Sequence, residues 1–262
     1  MNNNILLIVE GSRDEQNIFS DVFLKYGFSP IVSDEKMDID GVGQFDKYEY
    51  SLNNSSVVII QGPKNRIHDF LKMFNENEMS IEKAFSYAYA YFSGIFLIYD
   101  VDHNDCDDVE EMYNRFCDES TGMLLLSSPC IEVIGDYNQN RTEETYHHLS
   151  EYKADINSHY NGQAYEFIKN NFEKSMLYYL KKNYELFNES NIMEHPKLIV
   201  EWINKYNDRV NCKNKEESYV VYRYFSTVVY VSIAYANGLT KKIDNYNDVV
   251  KFLSDRCCEV PF

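Results

Sequence analysis

Two acidic residues spaced one apart are the most chemically suggestive feature of this 262-residue sequence. Asp100 and Asp102 follow the apolar run Phe96–Tyr99, a pattern that predicts a buried strand ending in carboxylates. Because residues i and i+2 leave a strand on the same face, both carboxylates can point at one ion. Their oxygens suit a hard divalent cation such as Mg²⁺ or Mn²⁺. Taken alone, this pattern more often marks an acidic loop that binds nothing.

A second strand with the same kind of ending strengthens the metal hypothesis. Residues 5–9 read ILLIV and run directly into Glu10 and Gly11. Ligands of open parallel sheets bind beyond the carboxyl ends of the strands. If the two strands are parallel, Glu10, Asp100 and Asp102 meet at one sheet edge, and we predict that they hold the metal.

Three motifs in this order resemble the Toprim domain, which is shared by topoisomerases, primases and OLD-family nucleases. Residues 10–19 read EGSRDEQNIF, the DxD pair follows, and residues 127–132 read SSPCIE. The likeness is closer to RloB-like and AriB-like defence proteins. Their first motif is roughly Glu-Gly-x-x-(Thr/Asp)-Glu followed by an aromatic, and their last resembles Ser-x-Pro-x-(Phe/Ile)-Glu. The resemblance covers about the first half of the chain.

The resemblance implies a metal-dependent nuclease that hydrolyses RNA, such as tRNA, or DNA as a toxic effector of anti-phage defence. It implies Mg²⁺ or Mn²⁺ held by Asp100 and Asp102, with Glu10 as general acid, general base or further ligand. It also makes Glu132 a catalytic candidate. Glu15 could be a further metal-site carboxylate or a group that orients a base. For Glu132 and Glu15 alike, an acid that offsets the dipole at a helix start is the equally weighted alternative.

An interaction protein is the alternative function. The acidic composition and the aromatic C-terminal half are consistent with a regulatory subunit that works only through a partner ATPase. The resemblance to AriB-like proteins implies an effector of this kind, held by its ATPase. Its site would be dormant in the isolated chain. The expected partners are therefore a nucleic acid and an ATPase, and a homodimer stays open.

The charge of the chain limits how it can bind nucleic acid. Acidic residues outnumber basic ones by 42 to 25, which gives a net charge of −17 and argues against a high-affinity nonspecific DNA binder. A bound cation or a local basic patch can offset this field. Two stretches are basic: Lys64 to His68, and the lysines at 169, 174, 181 and 182. Both could contact a nucleic acid, although such stretches are more commonly a solvated helix face.

Cysteine usage and hydropathy indicate a cytoplasmic protein. The six cysteines contain no CxxC pair. His147, His148 and His159 could be ligands or acid–base groups, but no carboxylate spacing supports that role. The N-terminus lacks a signal-peptide core. The longest apolar run, residues 219–236, contains Arg223 and falls short of the roughly 20 apolar residues of a membrane span. We expect free thiols in a reducing compartment and no membrane partner.

Alternating strand and helix patterns predict an α/β fold, a Toprim-like and mainly parallel four-stranded sheet with helices on both faces. The strands are expected near residues 4–9, 56–61, 95–100 and 122–127. Helices are expected over residues 12–26, after Pro63 and over 81–92, and an acidic loop over 34–54. The predicted domains are a Toprim-like catalytic domain of residues 1–140 and an all-helical domain of residues 141–262, whose longest helix spans 216–237.

Overall fold

A computed structural model describes most of the chain. It covers residues 4–11, 13–75, 92–100, 112, 114, 117–118, 122–128, 130–139, 143–146, 148–187, 220–223, 225–228, 231 and 246–258. The predictions for Asp102 and for the helix over 81–92 lie outside these residues. The chain divides into a first compact unit, residues 1–98 and 114–124, and a second compact unit, residues 99–113 and 125–262. The predicted domain division at residue 140 stays a prediction.

Ten strands are found in the described residues. They are β1 (Asn4–Glu10), β2 (Ser29–Ile39), β3 (Gly43–Leu52), β4 (Ser55–Gly62), β5 (Gly94–Asp100), β6 (Cys117–Asp118), β7 (Gly122–Ser128), β8 (Glu143–Tyr146), β9 (Val220–Arg223) and β10 (Phe225–Ser226). One sheet has the order β10-β7-β5-β1-β4-β3-β2, and β6 pairs with β7 beside this path. The strands β8 and β9 form a separate antiparallel pair.

The centre of the sheet is parallel, as the sequence predicts. β1 pairs in parallel with β4 and with β5, and Val9 lies beside both Gln61 and Ile98. The strands β1, β4, β5 and β7 are almost entirely buried, which explains why they read as continuous apolar runs rather than alternating patterns. The α/β class and all four predicted strands are confirmed.

The predicted acidic loop over residues 34–54 is wrong, because these residues form most of a long antiparallel hairpin. β2 pairs with β3, and β3 pairs with β4, so the sheet is larger than the four strands predicted. Charges are paired across the hairpin: Lys36 contacts Asp46, and Nζ of Lys47 lies 3.6 Å from Oε2 of Glu35. β2 is exposed along nearly its whole length, so it lacks the apolar alternation by which a strand is recognised.

The first compact unit contains the helices α1 (Arg13–Lys25) and α2 (Lys64–Asn75), which confirm two predictions. α1 buries Ile18, Phe19, Val22 and Phe23 at helical spacing. Gly27 follows the end of this helix with a φ of +90°, and the amide of Phe28 donates to the carbonyl of Phe23. This is the glycine-terminated helix end that the sequence predicts.

The second compact unit contains most of the remaining helices. They are the 3-10 helix η1 (Ile131–Gln139), α3 (Leu149–His159), α4 (Ala164–Asn170), α5 (Phe172–Phe187) and α6 (Tyr246–Cys258). The helices η1, α3, α4 and α5 contribute to a core that contains Cys130, Val133, Tyr152, Ile156 and Tyr179. Gly135 permits close packing of α4, because a Cβ there would lie 3.2 Å from Cγ1 of Ile168.

The prediction of one helix over residues 216–237 is wrong where the structure describes this segment. Residues 220–223 form β9, and residues 225–226 form β10, so the C-terminal half is not all helical. β-Branched and aromatic side chains at 220–222 favour a strand. β10 pairs with the end of β7, and Oγ of Ser226 lies 3.0 Å from Oγ of Ser127. This pairing satisfies backbone groups that a helix would leave open on β7.

Candidate metal centre

Three potential metal ligands meet within the second compact unit. One side-chain donor atom each from Asp100, Cys130 and Glu132 lies within 4.8 Å of the other two. Asp100 is the last residue of β5, Cys130 comes two residues after the end of β7, and Glu132 lies in the first turn of η1. Two strand ends and one helix start therefore position the cluster.

Three tyrosine hydroxyls hold η1 in place. The hydroxyl of Tyr179 on α5 donates to the carbonyl of Val133 at 2.5 Å, and that of Tyr160 donates to the carbonyl of Gly135. The hydroxyl of Tyr152 on α3 donates to Oδ2 of Asp136 at 3.2 Å. Tyr152 and Tyr179 are fully buried, so these bonds also satisfy polar groups that would be costly to bury alone. The position of Glu132 is thus fixed from several helices.

A lysine from α3 completes the cluster. Nζ of Lys153 lies 3.0 Å from Oε1 of Glu132. Burial opposes the charge of Lys153, but attraction to Cys130 in its thiolate form at high pH, and to Glu132 and Asp100, outweighs it and raises the pKa of the lysine. Its neighbour Tyr152 is anchored in the core, so the backbone that carries Lys153 is held firmly.

The thiol of Cys130 is fully buried at the centre of this group. Burial raises its pKa well above the ordinary value, and the negative charges of Glu132 and Asp100 raise it further. The thiol therefore keeps its proton at neutral pH. Under these conditions the ammonium of Lys153 is the positive charge that faces the two carboxylates.

The oxygens of this cluster fit a divalent cation. Ligand distances of about 2.0 to 2.6 Å allow two ligands of one ion to lie up to about 5 Å apart, and the donors here satisfy that limit. Oε2 of Glu132 is buried and has no hydrogen bond to any described residue. A buried carboxylate oxygen of this kind is normally satisfied by a donor or a cation. The residues present therefore suit a metal held by Asp100 and Glu132.

The predicted site residues have different outcomes. Asp100 and Glu132 lie together, although the sequence placed Glu132 only in the catalytic group. Glu10 ends β1, and the parallel register of β1 and β5 brings the carboxyl ends of these strands to one sheet edge, as predicted. Glu10 belongs to the first compact unit, and its role as a ligand stays a prediction. Asp102 lies outside the described residues.

The Glu-Gly motif has a structural explanation in the first compact unit. Gly11 has a φ of +110°, and its amide donates to the carbonyl of Gly62 at 3.2 Å. The side-chain amide of Gln61 donates to the carbonyl of Gly11 at 3.1 Å. A Cβ at Gly11 would lie only 2.8 Å from Oε1 of the buried Glu15. The turn therefore needs glycine, while the metal role of Glu15 stays a prediction.

Sequence reasoning missed Cys130 and Lys153. Cys130 stands inside the SSPCIE motif, but its nearest partners are carboxylates, so the usual search for paired cysteines cannot find it. Lys153 comes from a helix 21 residues further along the chain than Glu132, and no local pattern links the two. Only the packing of α3 against η1 brings them together.

Members of both predicted basic stretches make structural contacts. The guanidinium of Arg66 donates to the carbonyl of Gln44 on β3. Nζ of Lys182 lies 5.6 Å from the ring centroid of Tyr178 and 5.8 Å from that of Tyr179. Burial lowers the pKa of Lys182 to about 8, and Asp136 acts in the opposite direction. These two side chains are part of the packed structure.

Comparison of the chain with family models, curated proteins and solved structures gave no match. The Toprim resemblance therefore rests on its three motifs alone. In the part of the chain that the structure describes, no helix combines the length and apolar character needed to cross a membrane.

Proposed function

We propose that the chain is a divalent-metal-dependent nuclease that hydrolyses phosphodiester bonds in RNA, such as tRNA, or in DNA. The observation that supports this most is the cluster of Asp100 and Glu132 beyond two strand ends, with Lys153 3.0 Å from Glu132. Carboxylates on rigid elements beside a cationic group suit phosphoryl chemistry, because both the metal and the phosphate need to be positioned.

The chain's own residues have separate tasks in this proposal. Asp100 and Glu132 supply oxygen ligands, and Glu10 and Asp102 are further candidates from the sequence. A bound Mg²⁺ or Mn²⁺ would activate water and neutralise charge on the leaving oxygen. Lys153 adds a fixed positive charge beside these carboxylates, where a phosphate must approach. The hydrogen bonds from Tyr152 and Tyr179 to η1 hold the helix that carries Glu132 in place.

The acidity of the chain determines the expected mode of binding. A net charge of −17 repels a polyanionic substrate at long range. Local positive charge from the metal and Lys153 must overcome this repulsion, so substrate binding should depend on the metal. The Toprim resemblance would place such an activity in anti-phage defence, with a partner ATPase as its regulator.

The test is a cleavage assay with the purified full chain on tRNA, single-stranded RNA and single- and double-stranded DNA. We expect cleavage with Mg²⁺ or Mn²⁺ and none with a chelator. Asp100→Asn and Glu132→Gln should each lower the rate by about a hundredfold or more, corresponding to about 2.7 kcal/mol. Glu166→Gln, an exposed acid on α4, is the matched control and should keep full activity.

Two outcomes would contradict the nuclease. If the wild type cleaves and the Asp100 and Glu132 variants cleave equally well, the cluster is not the active site. If the wild type is inert on every nucleic acid even with its native partner present, the chain is not a nuclease, and the interaction protein becomes the better interpretation.

A further inference from the structure

The thiol at the centre of the candidate metal centre distinguishes it from an all-oxygen magnesium site. Cys130 is completely buried, forms no disulfide, and lies within 4.8 Å of carboxylate oxygens of Asp100 and Glu132. A magnesium site needs oxygen ligands and gains nothing from sulfur. Thiolate sulfur is a good ligand for borderline and soft cations such as Zn²⁺, Co²⁺ and Cd²⁺.

We propose that Cys130, Asp100 and Glu132 form a mixed sulfur and oxygen site that binds a transition-metal ion of the zinc class more tightly than Mg²⁺. This inference rests on the proposed function only for the location of the site, and it specifies which metal the site selects. Three protein ligands with a remaining open position are the usual arrangement of a catalytic zinc site.

A buried oxygen and a buried thiol point independently to a cationic ligand here. Oε2 of Glu132 is buried without a hydrogen bond to any described residue, although Oε1 contacts Lys153. The thiol of Cys130 is fully enclosed, and the polar groups that act on it are those of Glu132, Asp100 and Lys153. A thiol is a weak donor and satisfies a carboxylate poorly. A divalent cation would satisfy both groups at once.

The charges balance for this kind of ion. On binding, the S–H bond of Cys130 breaks, its proton passes to solvent, and a sulfur–metal bond forms without any change of oxidation state. The thiolate and the two carboxylates then carry three negative charges, which one divalent ion and the ammonium of Lys153 neutralise. Lys153 can therefore remain in place beside these three ligands when such an ion binds.

Titration of the metal-free full chain with Co²⁺ and Cd²⁺ tests this directly, because both give ultraviolet charge-transfer bands when bound to thiolate. We expect the band in the wild type and in Cys257→Ser, a control cysteine that also forms no disulfide. Cys130→Ser and Cys130→Ala should lose the band, and their Co²⁺ affinity should fall by about tenfold or more. Their Mn²⁺ affinity should change by less than about threefold, since the carboxylates remain.

The wild-type spectrum decides the inference even if a Cys130 variant folds poorly. Absence of a thiolate band in the wild type, or an unchanged band in a folded Cys130→Ser, overturns it. The nuclease proposal is judged separately by cleavage with Mg²⁺ or Mn²⁺. If the chain cleaves nucleic acid but shows no thiolate band, only the mixed-site proposal is refuted. If it shows a thiolate band that requires Cys130 but never cleaves, only the nuclease proposal is refuted.

Discussion

Nζ of Lys153 lies 3.0 Å from Oε1 of Glu132, and this ion pair joins α3 to the first turn of η1. Lys153 is 39% exposed and Glu132 is 17% exposed, so the pair is only partly screened by solvent. The ammonium and a metal ion would compete for the same carboxylate. Lys153 is therefore expected to lower the affinity for hard ions while it stabilises the metal-free site.

Replacement of Lys153 by methionine tests this competition. Lys153→Met should bind Mn²⁺ about tenfold more tightly, corresponding to about 1.4 kcal/mol, because one positive charge beside the ligands is gone. Lys153→Arg keeps the charge and should stay within about threefold of the wild type. Calorimetric titration measures both affinities. Equal or weaker Mn²⁺ binding by Lys153→Met would show that the two cations do not compete.

Neutralising the carboxylates should separate metal binding from folding. Wild-type stability should rise by about 2.7 kcal/mol when Mn²⁺ is present at a hundred times its dissociation constant. Asp100→Asn should lose this increase and melt at or above the metal-free wild type, because a like charge near Glu132 is removed. Glu132→Gln should also lose it, and should cost up to about 1 kcal/mol since Lys153 loses its partner. Thermal melting with and without Mn²⁺ measures both effects. If Asp100→Asn or Glu132→Gln gains as much stability from Mn²⁺ as the control Glu166→Gln does, the replaced residue is not a metal ligand.

The parallel centre of the sheet could be predicted because burial on both faces leaves a strong signal. Runs such as ILLIV in β1 and VVII in β4 are short, apolar and rich in β-branched residues. The hairpin of β2 and β3 gives no such signal, because it is held by ladder hydrogen bonds and charge pairs on an exposed edge. The strands at 220–223 and 225–226 lie in a long, mostly apolar segment, and such a run does not distinguish a strand from a helix.

The candidate site was predictable only where a local sequence pattern marks its residues. Asp100 follows an apolar run, and the SSPCIE motif gave Glu132, so both could be named from local patterns. Cys130 has no cysteine partner, and Lys153 reaches the site only through the packing of α3 on η1. Contacts between distant elements depend on tertiary structure and leave no signal in a local sequence pattern.

A side chain in place of the glycine of the Glu-Gly motif should destabilise the chain. Gly11→Ala combines the strain of a φ of +110° with a Cβ 2.8 Å from the carboxylate of Glu15. Gly27→Ala is the matched control, because Gly27 has a φ of +90° and open space around its Cβ position. Strain alone should cost Gly27→Ala about 1 to 2 kcal/mol.

The clash should therefore make Gly11→Ala clearly less stable than this control. We expect an additional loss of about 1 to 3 kcal/mol. Chemical denaturation of both variants gives the difference. Equal losses for the two variants would mean that Glu15 moves away without cost, and the close contact between Gly11 and Glu15 would then not constrain the turn.

The stability of the chain should rise with pH through the titration of Lys182. Burial lowers the pKa of this lysine to about 8 in the folded chain, against about 10.4 in an unfolded one. Between these values the unfolded state binds more protons, so the free energy of unfolding increases as the pH rises. The full shift corresponds to about 3 kcal/mol, but the rings of Tyr178 and Tyr179 favour the ammonium, and we expect about 1 to 2 kcal/mol.

Removal of the Lys182 charge should abolish this part of the pH dependence. Lys182→Met should be more stable than the wild type by about 1 to 2 kcal/mol near pH 7, and this advantage should shrink near pH 9.5, where Lys182 is neutral in the folded wild type. Lys181→Met, a neighbouring exposed lysine, is the control and should follow the wild type at both pH values. Urea denaturation at the two pH values measures the difference. A constant gap between Lys182→Met and the wild type would show that the lysine keeps its ordinary pKa, and that the contacts with Asp136 and the two tyrosines fully offset its burial.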